Sequence, residues 1–73
     1  YTLPDPTTVH LRIFDVAGEL VRVLVDGEPR EAGPNIIHWD GTDGSGRALG
    51  SGVYFCRLDT PAGTEPERLV LLR

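Results

Sequence analysis

The chain has no methionine, no lysine and a single cysteine, Cys56, among its 73 residues. One cysteine cannot close an intramolecular disulfide, so a small domain must hold together here without a staple. Aromatic residues are scarce at 7%, and Trp39 is the only tryptophan, so one large side chain dominates whatever core forms. No apolar stretch is long enough to cross a bilayer as a helix, and these residues carry no signal-peptide pattern. All seven basic residues are arginine against eleven acidic ones, giving a net charge of −4. That balance disfavours a nucleic-acid partner, because phosphate backbones require clustered cations. The missing methionine and the start at Tyr1 are those expected of a processed chain or of part of a longer one.

A chain this short buries only about 60% of the surface its unfolded form exposes. It is too small for a doubly wound nucleotide-binding domain or a barrel enzyme. With 40% hydrophobic and 25% charged residues it has the composition of one ordinary globular domain, spanning residues 1–73.

Short apolar runs are separated by Gly, Pro and Asp clusters every eight to twelve residues, a spacing that predicts an all-β sandwich or barrel. Residues 1–3 read as a strand stub stopped by Pro4 and Pro6. Residues 8–14 alternate, with Val9, Leu11 and Ile13 on one face. Residues 19–25 are apolar on both faces apart from Arg22, which calls for a bulge or for cover on both sides. The breakers from Asp26-Gly27-Glu28-Pro29 through Ala32-Gly33-Pro34 predict a loop. Residues 35–40, 52–59 and 67–72 read as further strands, with residues 60–66 turning the chain between the last two. The connections are too short for parallel crossovers, so the expected fold is an antiparallel β-sandwich of six or seven strands. Its predicted core is Val9, Leu11, Ile13, Ile37, Trp39, Tyr54, Cys56 and Leu58, joined by Val21 and Leu24 through a bulge.

Candidate chemistry is thin. Asp40-Gly41-Thr42-Asp43-Gly44-Ser45-Gly46 resembles a calcium loop at first sight, but Asp43 falls one residue late for alternating ligands and no closing Glu follows. Turn architecture is the simpler reading, and no metal or cofactor is expected. Cys56, His10 and His38 do not make a nucleophilic set, because Cys56 shares an apolar face with Tyr54 and Leu58 while both histidines take the outward parity. Two histidines and one cysteine also fall short of a closed zinc site. Trp39 is read as a packing residue rather than a ligand platform. The acidic residues Glu28 and Glu31 read as a solvated loop. The chain is therefore expected not to be an enzyme.

Four segments in order carry a family likeness. Tyr1-Thr2-Leu3-Pro4 followed by Val9-His10-Leu11-Arg12-Ile13-Phe14-Asp15-Val16-Ala17-Gly18 resembles the opening of the C-terminal sorting domains of type IX secretion substrates. The related Ig-like domain of the flagellar hook-capping protein shares this pattern. Trp39-Asp40-Gly41-Thr42-Asp43 with Gly46-Arg47 resembles the central segment, Ser51-Gly52-Val53-Tyr54-Phe55 the signature strand, and Arg68-Leu69-Val70-Leu71-Leu72-Arg73 the terminal strand. The resemblance implies an Ig-like sandwich at the C-terminus of a secreted or surface-located bacterial protein, recognised by outer-membrane secretion machinery and then cleaved. The recognition positions it implies are Gly52, Tyr54, Arg68, Val70, Leu72 and Arg73. Arginine replaces the family's usual lysine near the terminus, and the Asn/Pro-rich lead-in is missing, so the domain is expected to be N-terminally incomplete. The alternatives are an adhesive or structural module and an accessory carbohydrate- or surface-binding module. The adhesive module would self-assemble, as a homo-oligomer or fibre, by strand addition at an open edge. The outward-parity residues Phe14, Ile36, Val53 and Phe55 would supply its contact patch.

Overall fold

The computed structural model describes residues 1–72, and those residues form six strands and no helix. They are β1 (Thr2–Leu3), β2 (Thr7–Phe14), β3 (Leu20–Arg30), β4 (Gly33–Pro34), β5 (Gly52–Thr60) and β6 (Gly63–Leu71). One sheet has the order β3-β2-β5-β6, and β1 pairs with β4 in a second, two-stranded ladder. Every pairing is antiparallel.

Local chemistry sets the turns. Between β2 and β3, one oxygen of Asp15 accepts from the amides of Ala17 and Glu19, both at 2.9 Å, and Gly18 adopts a φ of +83° that closes the turn. Between β5 and β6 only Pro61 and Ala62 intervene, with Thr60 paired to Gly63. The resulting ladder runs nine pairs without a shift, from Gly52↔Leu71 to Thr60↔Gly63. β2 and β3 pair less regularly, with register shifts at Val9/His10, Leu11/Arg12 and Ile13/Phe14.

The predicted alternation governs the core. Val9, Leu11 and Ile13 of β2 are buried with Tyr54 and Leu58 of β5, and Leu3 of β1 closes over them. Val25 of β3 joins this core, while Val21 and Leu24 are half-buried. Ile37, Trp39 and Cys56 are only half-buried, because the layer above them is incomplete. The radius of gyration of 12.5 Å exceeds the roughly 11 Å typical of a compact chain of this length, and the long axis of 35 Å is nearly twice the others.

Three segments depart from the sequence reading. Residues 26–29 are not a loop but continue β3, with Val9↔Glu28 and Thr8↔Pro29 in register. Gly27 makes this possible at a φ of +67°, with its α-carbon so close to His10 that a methyl group there would lie 3.1 Å from the ring. Pro29 is tolerated because β3 is an edge strand. Residues 35–40 are not a strand. In the antiparallel register Thr2 lies opposite Pro34 and Tyr1 exchanges hydrogen bonds with Asn35, so residues 36–40 run past Tyr1 and have no partner strand among the described residues. The turn expected over residues 60–66 shrinks to Pro61 and Ala62, and β6 begins at Gly63.

Candidate functional site

The hairpin β5–β6 carries Gly52, Tyr54, Arg68 and Val70, positions for which the sequence resemblance implies recognition. Gly52 enters β5 at a near-extended φ of +158°. Tyr54 donates its hydroxyl to the Gly50 carbonyl at 2.8 Å, tying the start of the strand to the preceding loop. Its ring meets Trp39 edge-on, with centroids 5.4 Å apart. Trp39 in turn donates its indole N–H to the Thr42 carbonyl at 2.9 Å. The register places Tyr54 opposite Leu69, Val53 opposite Val70 and Phe55 opposite Arg68. Arg68, Val70 and Leu72 are exposed, the last two at 62% and 84%. Arg73 lies outside the described residues.

Backbone parity decides which groups of β6 are free. In a two-residue hairpin the closing pair, here Thr60 and Gly63, exchanges hydrogen bonds, and the pattern then alternates. Thr64, Pro66, Arg68 and Val70 therefore turn their backbone groups away from β5. Pro66, which has no N–H, sits on the tolerant parity opposite Arg57. Beyond it, Arg68 and Val70 offer N–H and C=O groups along an edge that no strand among the described residues covers.

On the outer face, Arg12 and Arg57 are directly opposed across β2 and β5. Asp59 bridges them, with one oxygen 2.9 Å from each guanidinium, and its other oxygen accepts from the Thr64 hydroxyl at 2.6 Å. The Thr64 hydrogen bond, with the two arginines, holds the Asp59 carboxyl below its ordinary range. Arg57 also stacks over Phe14, 4.8 Å from the ring centre. One row across the sheet reads Leu20, Phe14, Phe55 and Arg68, an apolar strip with a cation at its edge.

The acidic loop is built from turns. Asp40 accepts from the Thr42 hydroxyl at 2.6 Å and its amide at 3.1 Å, and Asp43 accepts from the Ser45 hydroxyl at 2.7 Å and the amides of Ser45 and Arg47. These bonds, led in each case by the hydroxyl, lower both carboxyl pKa values. Arg22 reaches across from β3 to the Thr42 hydroxyl and the Asp43 carbonyl, which fastens the loop to the sheet. Among the described residues, no group of three or more His, Cys, Asp or Glu is placed to hold a metal ion. Burial and then the nearby Glu67 carboxylate push the Cys56 thiol up, the opposite of what a nucleophilic thiolate needs. Arg12 donates a guanidinium N–H to His10 Nδ1 at 3.2 Å, while His38 is exposed.

The sequence reading did not anticipate the open groove of about 670 Å³ on the inner face of the four-stranded sheet. Its floor includes Cys56, Leu69 and Leu71, and its far wall includes Ile37 and Trp39. The parity of β6 held the clue: Glu65, Glu67, Leu69 and Leu71 share the face of Leu58 and Tyr54.

Antiparallel strands arranged as one four-stranded sheet faced by a short second layer define an all-β domain of Ig-like type. The chain belongs to the FlgD Ig-like domain family, whose model matches residues 1–62. The match ends at the turn between β5 and β6, so it includes Gly52 and Tyr54 but not Arg68, Val70 or Leu72. No curated protein and no solved structure matches the chain significantly. No helix among the described residues is long and apolar enough to cross a membrane.

Proposed function

We propose that this domain is a non-catalytic sorting module of a secreted or surface-located bacterial protein, read at its last strand by outer-membrane secretion machinery and then cleaved. The observation that carries the reading is the open edge of β6. Its C-terminal half is held straight by an unshifted ladder and presents the backbone groups of Arg68 and Val70 beside exposed apolar side chains. A receptor strand can add to such an edge, taking affinity from main-chain hydrogen bonds and specificity from alternate side chains. The opposite edge, β3, is defended by its bulges and by Pro29. Non-catalytic use is supported by the raised Cys56 thiol and by the commitment of Asp40, Asp43 and Asp59 to local hydrogen bonds. In this reading Gly52 and Tyr54 shape the hairpin, while Arg68, Val70 and Leu72 meet the receptor.

Fusing residues 1–73 behind a reporter in a bacterium with type IX secretion tests the proposal. Export of the reporter to the cell surface or medium is the expected result. Retention in the periplasm, with the domain folded, would count against it. The second reading, self-assembly through the same edge, is favoured by the 62% exposure of Val70 and the 84% exposure of Leu72. It predicts oligomers in light scattering at high concentration, whereas the sorting reading needs only a monomer.

A further inference from the structure

The second layer of the fold stops short, and the part of the inner face beneath the gap is both apolar and acidic. We propose that the groove there is an acceptor site for an extended segment of a partner protein that carries alternating apolar side chains and a cationic end. The site is distinct from the open edge of β6: it uses the inner face of that strand and the free edge of β1.

Three features point to an extended, cationic occupant. The first is backbone geometry. Tyr1 and Asn35 exchange hydrogen bonds at 3.0 and 2.7 Å, so alternation turns the N–H and C=O of Thr2 away from β4. Thr2 is exposed and lines the groove, where a further strand can take up those groups. The second is the pattern of the floor. Glu65 and Glu67 lie at the Leu58–Cys56 end, and Leu69 and Leu71 at the end nearer Tyr54 and Gly52. Both carboxylates are exposed and line the groove, and neither joins a salt bridge among the described residues. The third is Tyr1 in the groove wall, whose hydroxyl is buried without a hydrogen-bond partner. An unsatisfied buried hydroxyl is costly, and an incoming chain can supply its partner.

The six steps from Glu65 to Leu71 span roughly 20 Å, which suits an occupant of about six or seven residues. Alternate apolar side chains would then cover Cys56, Leu69 and Leu71, and a Lys or Arg would meet the two carboxylates. A second copy of the chain is a poor fit. Its own exposed apolar strand, β6, is committed to nine pairs with β5 and would have to leave them.

Trp39 and Cys56 both line the groove and each is the only residue of its type, so the protein carries its own two reporters. The test titrates the folded protein with two capped synthetic peptides, Arg-Val-Thr-Val-Thr-Val-Thr and its reverse, and with counterparts in which Glu replaces Arg. The expected result with at least one basic peptide is a saturable blue shift of Trp39 emission, and alkylation of Cys56 by iodoacetamide slowed tenfold or more. The acidic peptides should bind at least tenfold more weakly. The Glu65→Gln/Glu67→Gln double variant should lose that preference, and added salt should weaken the basic peptide on the parent protein even if the variant fails to fold. No saturable response to either basic peptide would overturn the proposal, as would equal binding of the acidic ones. So would the same Trp39 shift arising from protein concentration alone, which would seat a second copy in the groove.

Discussion

Asp59 resolves a conflict that strand register creates. Arg12 and Arg57 face each other directly, an arrangement that costs stability when nothing lies between them. Asp59→Asn keeps the shape and removes the charge, and should destabilise the domain at neutral pH by about 1 kcal/mol in a denaturant titration. The sign of the pH dependence follows from the lowered carboxyl pKa. The contribution is complete above the unfolded value of about 4 and is lost as pH falls through the lower folded value. The gap between parent and variant should therefore close in acid, and a gap that persists at pH 2 would assign the effect to packing. Gly27 is the other position where one residue decides local structure. Gly27→Ala puts a side chain at positive φ and a methyl group 3.1 Å from His10, whereas Gly18→Ala has the strained φ alone. The Gly27 variant should lose more than about 1 kcal/mol, and more than the Gly18 variant, in the same titration. The core positions Val9, Leu11 and Ile13 were legible because strict alternation has one meaning in a strand. The bulge at Gly27 was not, since Asp26-Gly27-Glu28-Pro29 spells a turn equally well and only the partner strand β2 decides between them.

At the level of elements, β6 is the strand whose two sides behave differently. Its odd residues bond to β5 and its even residues face the open edge, so amide hydrogen exchange should alternate along it. Thr64, Arg68 and Val70 are expected to exchange quickly, and Glu65, Glu67 and Leu69 more slowly. Uniform protection along the strand would mean that the edge is covered or that the register is wrong. The extent of β6 was hidden in the sequence for a physical reason. Pro66 reads as a strand breaker, yet on an edge strand its missing N–H breaks no ladder. Glu65 and Glu67 look like loop residues because the inner face they occupy is open to solvent. The opposite error occurred over residues 35–40, where Ile37 and Trp39 imitate a strand. Alternation supplies a face but not a partner, and β1 is two residues long.

On the scale of the whole molecule, the central fact is an Ig-like fold whose described residues form a four-stranded sheet and a two-stranded second layer. The Ig-like part of the likeness was legible in the order of short motifs, of which the family match covers those within residues 1–62. The two-stranded second layer was not, because it depends on how far β1 and β4 can pair. The proposed sorting role rests on the edge of β6, and backbone parity supplies a way to close that edge without touching the fold. Val70→Pro removes an N–H that already points away from β5, so the β5–β6 ladder loses no hydrogen bond. The decisive measurement is the fraction of a reporter exported when fused to the parent domain or to the Val70→Pro variant, with circular dichroism confirming that both are folded. The parent fusion should reach the surface or medium while the folded variant stays in the periplasm. Equal export of the two, or retention of both, would contradict the claim that the last strand is what the secretion machinery reads.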